Sequence, residues 1–141
     1  MIILDTDCLS LLEREKYLES SKFRQNLSRF SPADIVTTII TFEEQMRGWL
    51  AYLARCKTLD DQIFAYQQLN NLLENYRELT VLKFDEKAAD EFEKLKRQKI
   101  RVGTMDLKIA AIAISNNAIL ISRNLSDFEQ VPNLAVKDWT K

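Results

Sequence analysis

Short runs of β-branched and aliphatic residues, with little polar alternation, recur along this chain: Ile2–Leu4, Asp34–Ile40 (DIVTTII), Thr80–Phe84 (TVLKF) and Ala118–Ser122 (AILIS). A strand with one wet face alternates apolar and polar residues. A run without alternation suits a strand covered on both faces, as in a parallel sheet. Parallel neighbours need crossover connections, usually helices, and the intervening stretches have helical spacing. A helix is expected from about Cys8, with Asp7 or Thr6 near its N-cap, and another around Ser20–Arg29, ended by Pro32. From Thr41 onward Phe42, Met46, Trp49, Leu50 and Leu53 share a face, and over Leu59–Leu79 so do Leu59, Ile63, Tyr66, Leu69, Leu73 and Tyr76. Asp85 caps a charged helix reaching about Lys96, the helix from Thr104 is apolar nearly all round, a short helical turn begins near Ser126, and Leu134–Asp138 supplies a fifth strand. Strands alternating with helices predict a single α/β domain over residues 1–141, a central parallel sheet of about five strands flanked by helices. A chain of 141 residues suits one core.

The chain contains no histidine. Ser-His-Asp and Cys-His triads, imidazole acid–base catalysis and His-ligated zinc are thereby excluded. Cys8 and Cys56 are isolated, which argues against structural zinc and for free thiols in a reducing compartment. The run Met1–Leu4 is too short for a signal peptide, and no stretch approaches the roughly 20 apolar residues of a membrane span. A cytoplasmic location is expected, with no membrane partner. The net charge of −1 exerts no global pull on polyanions, so any nucleic-acid contact must come from a local patch.

Ligands of open parallel sheets bind beyond the carboxyl ends of the strands. Acids gather there: Asp5 and Asp7 after the first strand, Glu43 and Glu44 after the second, Asp106 at the head of the apolar helix, and Asp127 after the fourth strand. Each has a capping explanation. Asp7 suits an N-cap, Thr41-x-x-Glu44 and Ser126-x-x-Glu129 have the form of capping boxes, and Asp106 complements a helix dipole. Asp5 is the exception, an acid at the end of a buried strand with no clear helix duty. Gathered carboxylates repel and raise one another's pKa, so stability alone does not assemble them. A hard divalent cation turns that repulsion into ligation, and Mg²⁺ binds through a few carboxylates, waters and substrate phosphates.

The segments MIILDTDCLS, TIITFEEQMRGW, GTMDLKIAAIAI and AILISRNLSDFEQVPNLAVKDW, in this order and across nearly the whole chain, resemble the PIN-domain family, in particular its VapC-type toxin ribonucleases. The resemblance makes Asp5, Glu44 and Asp106 the metal-holding acids. Glu44 matches rather than Glu43, being three after the Thr and four before the Gly. Many family members carry a further acid two residues after the hydroxyl residue that ends strand four. Here Ser122 leads to Asn124, an amide that ligates weakly, and Asp127 is the alternative; Asp7 and Asn124 stand as additional candidates around the metal. The resemblance implies a Mg²⁺- or Mn²⁺-dependent endoribonuclease in which a metal-activated water cleaves RNA to 5′-phosphate and 3′-hydroxyl ends. It further implies a toxin whose partners are RNA, a cognate antitoxin lying across the active-site side, and a second copy in a homodimer.

Lys94–Arg101 (KLKRQKIR) holds five cations and no acid directly before Gly103 and Asp106. It reads either as a solvated helix end or as an RNA-phosphate contact through Lys96, Arg97, Lys99 and Arg101, with Arg47 and Arg123 as further candidates. Trp49, Tyr66 and Tyr76 lie on apolar faces and read as core or interface, and Cys8 as a small packed residue. The apolar surplus of Thr41–Leu79 exceeds what one small domain buries, which predicts an exposed partner surface and a dimer. Two rival readings remain. ILDTDCLS contains the D-x-D of haloacid-dehalogenase-like phosphatases, with Asp5 as nucleophile and Asp7 as acid–base, although Leu9 stands where that pattern prefers Thr or Val. The other rival is a PIN scaffold that only binds partners.

Overall fold

In the computed structural model, which describes residues 1–14 and 18–141, the order of elements is β1 (Ile2–Leu4), α1 (Thr6–Glu13), α2 (Leu18–Leu27), a 3-10 turn (Pro32–Asp34), β2 (Ile35–Thr38), α3 (Ile39–Arg55), α4 (Leu59–Arg77), β3 (Val81–Leu82), α5 (Glu86–Arg97), α6 (Thr104–Ser115), β4 (Ile119–Ile121), α7 (Leu125–Phe128) and β5 (Ala135–Lys137). The five strands form one sheet in the order β3-β2-β1-β4-β5, and every pairing is parallel. The expected five-strand parallel α/β architecture is present. β1 is central, with Ile3 opposite Val36 on one side and Leu120 on the other. The chain runs outward from β1 through β2 to β3, then returns to β4, so the order reverses between β1 and β4. That switch point is where parallel sheets open a crevice for ligands.

Successive strand residues face opposite ways. Ile3, Val36 and Leu120 pack with α5 and α6 in one core, while Ile2, Leu4 and Ile121 pack with α1 and α2 in another. Helix α6 is buried on all sides: Ile109 through Ala113 each have no exposed surface. The chain has only two glycines, so left-handed backbone falls to other residues. Lys99 (φ 55°) and Asn117 (φ 51°) take it just after α5 and α6, where glycine is usual. Among the described residues no helix is long and apolar enough to cross a membrane. Both cysteines are free, and Cys8 is fully buried as expected.

Boundaries differ from the sequence expectation at helix starts. β2 ends at Thr38 rather than Ile40, because the Thr38 hydroxyl accepts the Thr41 N–H at 3.1 Å and turns the chain into α3. The β-branched Ile39 and Ile40 favour strand locally, but the cap overrides that weak preference. Thr41 therefore lies inside the first turn, and no Thr41–Glu44 capping box forms. Asp5, expected to have no helix duty, is the N-cap of α1: its Oδ1 accepts the Cys8 N–H at 2.8 Å. Asp7 and Thr6 lie within the first turn instead. The Ser126-x-x-Glu129 box is likewise absent, since Asn124 precedes α7 and Glu129 closes it. Asp85 caps α5 as expected, accepting the Ala88 N–H at 3.0 Å.

Because Thr38 is fully buried and carries the α3 cap, Thr38→Val, which keeps the shape and removes the hydroxyl, should cost about 1 kcal/mol in denaturant unfolding.

Candidate metal centre

The site begins at the switch point. The Asp5 N–H donates to the Ile121 carbonyl at 3.1 Å, holding the end of β1 against the end of β4. The Asp5 carboxyl is only 5% exposed and receives the Cys8 N–H and the Ser122 hydroxyl. Burial pushes its pKa above the ordinary value; the Ser122 and Cys8 hydrogen bonds pull the other way, and the Asp7 charge adds to the rise.

Glu44 arrives from α3. The cap at Thr38 sets the helix phase so that the Thr6 hydroxyl donates to Glu44 Oε1 at 2.6 Å. Thr6 also lies 3.2 Å from the Thr41 hydroxyl, which lies 3.3 Å from that of Thr38, a row of hydroxyls joining α1 to α3. The neighbouring Glu43 turns away and pairs with Arg47 at 2.6 Å. Only Glu44 of the two adjacent glutamates acts on the Asp106 carboxyl.

Asp106 stands in the first turn of α6, where a helix N-terminus ordinarily lowers a carboxyl pKa. It is instead pushed up to about 6, first by burial and then by the charges of Glu44, Asp5 and Asp127. Three acids from other elements thus act on this one carboxyl, and no cation is among the causes. Asn124 lies on the same side. Its amide N–H₂ donates to Asp127 Oδ2 at 2.9 Å, its backbone N–H to Ser122 Oγ at 2.9 Å, and its Oδ1 accepts from the Ser126 hydroxyl at 3.3 Å. The Asn124 oxygen is therefore engaged, while the Asp127 charge reaches Asp106.

Asp7 is committed elsewhere. Arg123 binds it through two hydrogen bonds and holds its carboxyl below the usual range. The basic stretch is exposed on the end of α5 and the connection to α6. Lys94 pairs with Glu91 at 3.4 Å and Arg97 with Glu93 at 3.5 Å, while Lys96 lies 5.4 Å over the Phe92 ring. Lys99 and Arg101 are exposed on that connection.

The four acids are visible in the sequence, but Thr6 reads there only as a capping candidate and Ser122 only as the hydroxyl residue ending a strand. The hydroxyl residues just after β1 and β4, Thr6 beside Asp5 and Ser122 at the strand end, were the available signal. The Asp7–Arg123 contact, 116 residues apart, had none.

Among the described residues no group of three His, Cys, Asp or Glu side chains closes on one point as a finished cage. The donors are carboxylate and hydroxyl oxygens, which suit a hard cation, and Mg²⁺ needs only one or two carboxylates because it keeps several waters. An open set of mutually repelling acids fits such an ion.

A PIN domain family model matches residues 2–134. The chain belongs to the PIN domain family. Over 47 residues this PIN domain is 45% identical to ribonuclease VapC1 of Haemophilus influenzae strain R2866, a match covering 33% of this chain and 35% of that one. Ribonuclease VapC2 of Rickettsia felis is 38% identical over 47 residues, with the same coverage. These matches span about a third of the curated relatives. Among solved structures, VapBC-1 from nontypeable Haemophilus influenzae superposes with a TM-score of 0.78 at 26% identity over the whole of both chains. DNA-bound VapBC from Salmonella typhimurium superposes at 0.73 and 25% identity, over 98% of this chain and 97% of that one. The family match goes against the phosphatase reading, and Asp7, its acid–base, is paired with Arg123.

A carboxyl whose folded pKa is raised favours the folded state while protonated, and that contribution is lost as pH rises through the folded value, here about 6. In metal-free protein, Asp106→Asn should therefore raise the melting temperature at pH 7.5 and change it little below pH 4, where the carboxyl is protonated in both the folded and unfolded chain, as read by scanning fluorimetry in a chelator.

Proposed function

We propose that this PIN domain is a Mg²⁺- or Mn²⁺-dependent endoribonuclease and the toxin of a toxin–antitoxin pair. The observation that carries the proposal is the placement of Asp5, Glu44, Asp106 and Asp127 beside the switch point of the sheet, with Asp5 and Glu44 held by fixed hydrogen-bond donors and the Asp106 carboxyl pushed up by burial and these neighbours. The naming of VapC relatives as ribonucleases supports the substrate class, and the VapBC complexes among similar structures support the partner.

In this reading Asp5, Glu44 and Asp106 would hold the cation, directly or through water, with Asp127 completing the set and Asn124 orienting Asp127 through its amide. Such a cation would supply Lewis-acid polarisation of the phosphodiester and lower the pKa of a water. The chain's own part is placement. Cys8 N–H and Ser122 fix the Asp5 carboxylate, and Thr6 fixes one oxygen of Glu44. Asp106, whose carboxyl burial and its acidic neighbours push up to about 6, would be the ligand from α6.

A groove of roughly 630 Å³ runs from Thr6 and Glu44 between α1, α3 and α4, past Arg14, Trp49, Tyr52 and Arg55. Its continuity with the acids supports it as the seat of an antitoxin segment. On α4, Leu59, Ile63, Tyr66 and Leu73 are 55–76% exposed along one stripe. Large apolar patches mark partner surfaces, and this one supports assembly into a homodimer. Trp49, expected in core or interface, packs edge-on with Tyr52 and Phe64 between α3 and α4.

Asp5→Asn keeps a good N-cap and Asp106→Asn keeps the helix, yet each removes a charged ligand. Both should fold and lose cleavage of total RNA in millimolar Mg²⁺ or Mn²⁺ by more than the roughly 100-fold seen for outer residues of metal sites. Wild-type rates in either variant would overturn the site. RNA contact by the basic stretch has its own test. Replacing Lys96, Arg97, Lys99 and Arg101 together with Ala should flatten the slope of log affinity against log salt, by about 0.7 for each phosphate no longer neutralised.

A further inference from the structure

Asp7 is the strand-end acid left over from the ligand set above, and Arg123 is the cation beside it. Arg123 Nε donates to Asp7 Oδ2 at 2.7 Å, and Arg123 Nη2 donates to Asp7 Oδ1 at 2.9 Å. Two parallel bonds of this kind fix orientation as well as distance. The position of Arg123 gives the pair its significance. It is the middle residue of the arm Ser122–Arg123–Asn124 that leaves β4. Ser122 bonds the Asp5 carboxyl, and Asn124 bonds Asp127 at 2.9 Å. The helix that ends this arm, α7, is four residues long, a single turn with no side-chain cap. Such a short element has little rigidity of its own. Asp7 lies on α1, whose first residues carry both Asp5 as cap and Thr6 against Glu44.

We propose that Asp7 and Arg123 form a positioning bridge for the acid site: the bidentate pair clamps the Ser122–Asn124 arm to the first turn of α1, aligning Ser122 with Asp5 and Asn124 with Asp127. The bridge rests on the metal-dependent reading above. It assigns to Asp7 a role different from ligation and to Arg123 one different from phosphate contact.

The test uses the full chain, purified free of its partner, as wild type, Asp7→Asn, Arg123→Gln, the double variant and Arg123→Lys. Mn²⁺ affinity is read from the electron paramagnetic resonance signal of free Mn²⁺, and kcat and KM from cleavage of a defined RNA. The pair is part-exposed, with side chains 32% and 48% accessible, so its removal costs little stability. A positioning bridge requires both single variants to lose Mn²⁺ affinity and kcat together, about 10-fold each, with KM kept. The double variant should be no worse than the worse single one, because both break the same bridge. Arg123→Lys should fall between, since an ammonium keeps the charge without the fork. A pure charge effect gives opposite signs instead: Arg123→Gln tightens Mn²⁺ and Asp7→Asn weakens it. That outcome overturns the bridge, as does a raised KM with kcat kept, the mark of a phosphate contact. Unchanged variants on a metal-binding wild type overturn the bridge alone. A wild type that binds no Mn²⁺ overturns the metal-dependent reading, and the bridge with it.

Discussion

The parallel pairing of β1 with β4 is the contact on which the site depends. Its last link, the Asp5 N–H on the Ile121 carbonyl, is made at the point where the strands end and the sheet order reverses. That link brings together two segments far apart in sequence, one carrying Asp5, Thr6 and Asp7, the other Ser122, Arg123 and Asn124. α3 and α6 then each contribute an acid from their first two turns. The acids repel one another, as the raised Asp106 carboxyl records. A buried, well-packed sheet on both sides tolerates that repulsion because its two hydrophobic cores are independent of it.

Functional sites are where local rules are broken at some expense to stability. Asp106 shows this. A carboxylate in the first turn of a helix is normally comfortable, yet here burial, and then its acidic neighbours, outweigh the helix effect. The hydroxyls of Thr6 and Ser122 limit the damage by giving Glu44 and Asp5 fixed donors. The same donors leave other carboxylate lone pairs for a ligand.

Much of this was legible in the sequence because periodicity is a local signal. The runs at Ile2–Leu4 and Ala118–Ser122 became central strands, and the all-round apolar segment after Thr104 became the buried α6. The acids were legible through topology, since strand ends in a parallel sheet converge. Helix starts were less so. Thr38 and Thr41 are both plausible caps, and which one acts depends on where β2 leaves β1 and β3. Asp5 had no visible duty because α1 starts directly after it, sooner than the expected start near Cys8. Choosing Glu44 over Glu43 came from family resemblance; in the structure Glu43 pairs with Arg47 while Glu44 meets Thr6, a difference the sequence does not show. The Asp7–Arg123 contact was beyond reach, because no periodicity links residues so distant.

Helix α6 has no solvent face across Ile109–Ala113, and this bears on how the protein can be re-engineered. A core position without slack registers almost any change of volume, with large-to-small replacements costing about 2–5 kcal/mol. Libraries aimed at altering activity through α6 will mostly return unfolded protein. In the connection from Lys99 to Gly103 no residue is fully buried, and a Cβ added at Gly103 meets nothing within 4 Å. Diversity placed there alters the approach to Asp106 while its anchor stays rigid.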